Sequence, residues 1–126
     1  MKLVQFVQVF IGAGIGGVLR FAIGTRFAER WGAAFPWHTF AINVVGSFLL
    51  GLLFALSGER GWLPESARVY LGVGLLGGFT TFSTYSLEGV TLFERGLTLT
   101  GLAYVVASVV AGLAAAWAGL AVGRAL

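Results

Sequence analysis

Four apolar stretches, at about residues 3–27, 35–56, 69–93 and 97–122, occupy almost the whole chain and leave only short polar joints between them. Each is close to the ~20 residues that an α-helix needs to cross roughly 30 Å of hydrocarbon. A chain of 126 residues that is 58% hydrophobic and only 10% charged has too few polar side chains to solvate a globule of its own. The pattern predicts an all-α membrane protein, a single domain over residues 1–126 with four transmembrane helices. The first stretch leads directly into another span and reads as mature sequence, not as a signal peptide. The absence of cysteine excludes disulfides, thiolate metal sites and thiol catalysis.

The net charge of +3 comes from scattered basic residues near the ends of the stretches, which fits anchoring to lipid headgroups and gives no nucleic-acid signature. With an even number of spans, Lys2, Arg60, Arg68 and Arg124 share one side. Arg26, Arg30 and Arg95 lie opposite, with Arg20 near that end of the first stretch. So even a distribution leaves the positive-inside rule little to act on. Insertion in both orientations is the simplest expectation, and it would let two copies pair antiparallel about an axis in the membrane plane. The alternative is a single arginine at a sensitive position that fixes one orientation. Trp31, Trp37 and Trp62 suit the aromatic belt, and His38 beside Trp37 reads as an interfacial side chain and not as a metal ligand.

Polar and small residues recur at helical spacing inside the stretches. Gly12, Gly16, Arg20 and Gly24 share one line of the first, a face for close helix packing. Arg20 lies several residues inside, where a guanidinium needs an acceptor or must snorkel. It either anchors the fold or attracts an anion. In the second stretch Thr39, Asn43, Ser47 and Gly51 form a polar track, and in the fourth Tyr104, Ser108 and Gly112 form a similar one. The amide of Asn43 and the hydroxyl of Tyr104 both call for buried partners at that depth.

The third stretch holds the least ordinary segment, Gly77-Gly78-Phe79-Thr80-Thr81-Phe82-Ser83-Thr84-Tyr85-Ser86. As continuous helix, 69–93 would be about 37 Å long, which leaves slack for an unwound turn. Paired glycines and neighbouring hydroxyls favour such a turn, with Leu71–Leu76 and Leu87–Phe93 as the flanking half-helices. A glycine kink made for packing is the alternative. At a break, the first half-helix ends in free carbonyls that invite a hard cation, and the second begins with amides that invite an anion. Two antiparallel copies could converge such carbonyls on one structural cation. Phe79, Phe82 and Tyr85 fall three residues apart, and their ring edges, beside the hydroxyls of Ser83 and Thr84 and opposite Asn43, suggest an anion path.

Gly-Gly-x-Leu-Arg at Gly16 to Arg20, Asn-x-x-Gly-Ser at Asn43 to Ser47 and Gly-Gly-x-Thr-Thr-Phe-Ser-Thr at Gly77 to Thr84 together resemble the fluoride channels called Fluc or CrcB, over most of the chain. The resemblance implies a dual-topology, antiparallel homodimer of four-helix subunits with a broken third helix, two fluoride pores and a structural sodium ion (Na+) at the interface. By position, the carbonyls of Gly77 and Thr80 resemble the family's sodium ligands. Asn43 resembles its pore asparagine, and Phe82 and Tyr85 its paired aromatic box. Thr39, Tyr104 and Ser108 resemble parts of its polar route, and Glu88 its acidic vestibule residue. Tyr85 stands where the family typically has a second phenylalanine. The implied physiology is passive efflux, across the inner or plasma membrane of a prokaryote, of fluoride that entered as neutral hydrogen fluoride.

Other classes fit less of the sequence. A proton-coupled multidrug antiporter needs an intramembrane carboxylate, for which Glu88 is the sole candidate and lies toward a span end. A non-transporting assembly protein would use the glycine faces for packing alone. No nucleophile and base pair, metal triad or cofactor fingerprint supports an enzyme.

Overall fold

In a computed structural model that describes all 126 residues, the chain is helical from end to end apart from short joints. Helix α1 spans Leu3–Trp31 and α2 spans Trp37–Phe54, the latter continuing through a π-helical turn, Ala55–Glu59. Helix α3 covers 65–79 as an α-turn (Glu65–Ala67), a π-helical stretch (Arg68–Leu76) and a last α-turn (Gly77–Phe79). Helix α4 is Phe82–Glu94 and α5 is Thr98–Ala125.

Three segments are long and apolar enough to cross a membrane: Leu3–Trp31, Trp37–Glu59 and Thr98–Ala125. Helices α3 and α4 are each shorter than that. Helix α1 runs past the apolar limit at Phe27 because Arg26, Ala28, Glu29 and Arg30 are sound helix formers, and it stops where Gly32 takes φ +75.

Apolar side chains face outward. Only 19 of the 126 residues are buried, whereas Phe10, Phe21, Leu99 and Trp117 stand almost free of protein contact. An exterior of this kind is stable only against hydrocarbon or another apolar surface. Inside, the helices meet as two glycine-seamed pairs, α1 on α3 and α2 on α5. A Cβ added at Gly12 would lie 2.5 Å from the Tyr70 carbonyl oxygen, and one at Gly16 would run into the backbone of Leu75. In the second pair, Gly51 abuts the Ala116 carbonyl and Gly119 the Phe48 carbonyl. Where lipid supplies no hydrophobic drive between helices, this backbone approach supplies dispersion contact instead.

Candidate ion pathway at a helix interruption

Between α3 and α4 only Thr80 and Thr81 leave helical geometry, at φ −83, ψ 159 and φ −150, ψ 125. The expected extent of the flanking helices is corrected on both sides. Gly77 and Gly78 stay helical, and helix resumes at Phe82 instead of Leu87. Gly78 therefore serves packing, not an unusual backbone angle, since a Cβ there would strike the Ala13 backbone of α1; at Gly77 a Cβ would meet nothing closer than 3.7 Å, so close approach does not require that glycine. Helix restarts early because Thr81 is an effective N-cap, its Oγ1 accepting from the Thr84 amide at 3.3 Å.

Two extended residues free several backbone groups, and side chains from two other helices take them up. Asn43 on α2 pairs with the Thr81 peptide as a neighbouring strand would: Nδ2 donates to the Thr81 carbonyl at 3.0 Å, and the Thr81 amide donates to Oδ1 at 2.9 Å. Arg20 on α1 donates from Nε to the Gly78 carbonyl at 3.2 Å. Of the two roles open to Arg20, this contact is the anchoring one. The Thr80 amide and hydroxyl both donate to the Leu76 carbonyl, at 3.0 and 2.9 Å. The Thr80 carbonyl itself accepts nothing from the protein. Gly46, one turn beyond Asn43, leaves the space that the Thr80 methyl group fills.

A groove of about 470 Å³ opens beside the interruption, and Asn43, Ser47, Thr80, Phe82, Tyr85 and Ser108 are among the residues lining it. One Asn43 Nδ2 hydrogen is engaged by Thr81, which leaves the second free. Ser47 donates into its own helix, to the Asn43 carbonyl at 2.7 Å. Phe82 is 79% exposed, and its ring lies 5.7 Å from that of Tyr85. The Tyr85 hydroxyl donates to the Val105 carbonyl of α5 at 2.8 Å, so this ring is tied to a neighbouring helix in a way a phenylalanine would not be.

Next to the groove, Thr39 donates to Glu88 Oε1 at 2.6 Å, and the Tyr104 ring packs 5.4 Å from Tyr85 and edge-on to Phe35. The hydroxyls of Tyr104 and Ser108, one turn apart on α5, are buried and have no hydrogen-bond partner. Buried polar atoms are rarely left so, and each of these marks a place for water or an ion.

Asn43, Phe82, Tyr85 and Ser108 thus meet at one groove, with Thr39, Glu88 and Tyr104 beside it. Ser83 is exposed and lies with Thr84 around the Thr81 hydroxyl, at 3.4 and 3.2 Å, so both belong to the cap of α4 and not to the groove wall. Gly77 and Thr80 line the groove together. Thr81 and Gly46 carry roles here that residue type alone does not assign. A Thr-x-x-Thr spacing just before a helical run was the available signal for the first; nothing local signalled the second.

Residues 7–120 match the family described as CrcB-like protein, Camphor Resistance (CrcB). The chain belongs to this family. Among its relatives is a fluoride-specific ion channel FluC of Agrobacterium fabrum, 45% identical over 122 residues, which is 97% of this chain and 98% of the relative. Proteins of the same name in Rhizobium meliloti and Methylobacterium nodulans are 46% and 48% identical, over 94% and 92% of this chain and 96% and 93% of their own lengths. Membership in the CrcB family and three apolar helices of spanning length make the chain a multi-pass membrane protein.

Proposed function

We propose that this protein is a fluoride-selective channel that lets cytoplasmic fluoride leave the cell passively. The observation that carries the reading is the convergence of Asn43, Phe82 and Tyr85 on one groove beside two buried hydroxyls, Tyr104 and Ser108, that lack partners. Fluoride is small and strongly hydrated, so a selective path must replace its water with close donors yet bind weakly enough for release. The free Nδ2 hydrogen of Asn43 and the two hydroxyls are such donors, and the edges of Phe82 and Tyr85 add weaker positive density. Nothing in this route requires a covalent step, and the protein is a channel, not an enzyme.

In this reading residues 65–94 form the third of four crossings of the membrane of a prokaryotic cell, with Thr80–Thr81 at mid-depth. The near-even spread of basic residues favours an antiparallel homodimer. Closing the open groove against a second copy would give two pores. The Thr80 carbonyl, left without a donor and sharing the groove with Gly77, fits an oxygen-coordinated Na+ to which both copies contribute. Such an ion, when bound, supplies positive charge that offsets free carbonyls at the interruption.

The test is efflux from liposomes containing the pure protein, followed with a fluoride electrode and, in parallel, for chloride. Fast fluoride efflux with chloride retained is expected, and its loss in Asn43→Ala and Phe82→Ala. Absence of flux, or equal passage of both ions, would overturn the proposal.

A further inference from the structure

A second concavity, of about 530 Å³, lies between the end of α1 and the start of α2. Every side chain in its wall is aliphatic or aromatic: Phe27 and Trp31 from α1, and Trp37, Phe40, Ala41 and Val44 among those from α2. At 100° per residue, Trp37, Ala41 and Val44 centre about 140° around α2 from Asn43, Gly46, Ser47 and Leu50. A copy seated over the first groove therefore does not cover this one. The rings form stiff sides, Phe27 and Trp31 at 4.8 Å and Trp37 and Phe40 edge-on at 6.1 Å. From Trp37 to Val44 the concavity runs about 10 Å along α2, the depth of the upper part of an acyl chain. Water gains little against a wall made of apolar and aromatic side chains, where the indole N–H groups of Trp31 and Trp37 are the only side-chain donors.

Basic residues flank the α1 wall of the concavity in the chain. Arg26 and Arg30 sit one turn apart on α1, each directly before one of its two wall aromatics, and both are exposed and outside any ion pair. Glu29 is the only acid in that turn, so a positive charge remains. We infer that this is a binding site for one anionic phospholipid, its acyl chain between the aromatic walls and its phosphate at Arg26 and Arg30. Basic residues at a pocket between membrane helices recognise anionic headgroups in this way.

Native mass spectrometry of the purified full chain, titrated with phosphatidylglycerol or phosphatidylcholine of equal acyl length, tests the assignment without reference to fluoride. Phosphatidylglycerol should be retained with at least a fivefold preference, the order expected for one unopposed basic charge near a headgroup. Arg26→Gln with Arg30→Gln should abolish the preference and leave phosphatidylcholine retention as it was, whereas Arg68→Gln at the other membrane face should change nothing. Ala41→Trp, or the milder Val44→Phe if the first does not fold, should lower retention of both lipids severalfold by filling the concavity. Equal retention of the two lipids by the unaltered protein would overturn the inference using no variant at all. So would a preference that survives loss of both arginines, or this face found buried between two copies.

Discussion

Replacing Asn43 by alanine removes both contacts that hold the Thr80–Thr81 interruption to α2. The lost bonds are Asn43 Nδ2 to the Thr81 carbonyl at 3.0 Å and the Thr81 amide to Asn43 Oδ1 at 2.9 Å. A net hydrogen bond contributes about 1 kcal/mol, and a buried group stripped of its partner costs about 1–3 kcal/mol. Thr81 is only partly buried and borders the groove, where water can replace some of what is lost, so the lower figures apply. The sum is about 2–3 kcal/mol. At roughly 3 °C per kcal/mol for a chain of this size, the unfolding midpoint should fall by about 6–9 °C. If the paired geometry is the conducting one, the same loss lowers its population, and fluoride flux should drop by more than about tenfold. Asn43→Asp separates the two bonds. It keeps an acceptor for the Thr81 amide but sets a second acceptor against the Thr81 carbonyl, so stability should fall less than in the alanine variant while added negative charge still blocks anion flux. Thermal unfolding in detergent beside electrode-monitored efflux reads both quantities. An alanine variant whose midpoint moves by less than about 1 °C, with flux within twofold of the unaltered protein, would refute the reasoning.

Thr81→Ala removes the cap of α4 but leaves the backbone pair with Asn43, so the midpoint should fall by the equivalent of only about 1 kcal/mol, measured in the same unfolding experiment. Gly16→Ala drives a Cβ into the Leu75 backbone and should leave little folded protein by gel filtration, whereas Gly14→Ala, with nothing within 4 Å, should be neutral or slightly stabilising. Arg20→Gln preserves a donor for the Gly78 carbonyl without the charge, and Arg20→Leu preserves neither. Efflux retained in the first and lost in the second is expected if Arg20 anchors; equal loss in both would assign the residue to anion attraction. Tyr85→Phe deletes the bond to the Val105 carbonyl at a cost of about 1 kcal/mol and should keep fluoride selectivity, as read by the fluoride-to-chloride efflux ratio, because the ring edge remains.

What the sequence revealed of the fold depended on the range of the interactions involved. Helix length and apolar character follow from local composition, so the long helices could be read directly, with errors of a few residues where charged helix formers such as Glu29 and Arg30 carry α1 beyond its apolar limit. The glycine line Gly12–Gly16 was legible as a packing face because small residues at i, i+4 admit few other uses in lipid. Its partner was not legible. That Gly16 lies against Leu75 and Gly78 against Ala13 is a property of two surfaces, and neither residue carries it alone. The same limit applies to Gly77 and Gly78: at the level of sequence, a glycine that must bend the chain and one that must let another helix approach look alike.

The site was legible as a set of residue types, while its wiring was not. Asn43 stood out as a polar amide needing partners at membrane depth, but that it would spend Oδ1 and one Nδ2 hydrogen on a single peptide depends on where α2 lies relative to Thr81. Arg20 takes the Gly78 carbonyl, Asn43 both groups of Thr81, and Leu76 the amide of Thr80, and the Thr80 carbonyl is left with no donor from the protein. In a membrane interior, a carbonyl in that position requires water, a donor from another chain or a cation. The first two would leave the protein indifferent to the cation in the buffer; the proposed Na+ would not. Stability of the purified protein that rises with sodium, and does not rise with an equal concentration of a bulky organic cation, is therefore the outcome that separates them. A response identical for both cations would return the Thr80 carbonyl to water or to a partner chain.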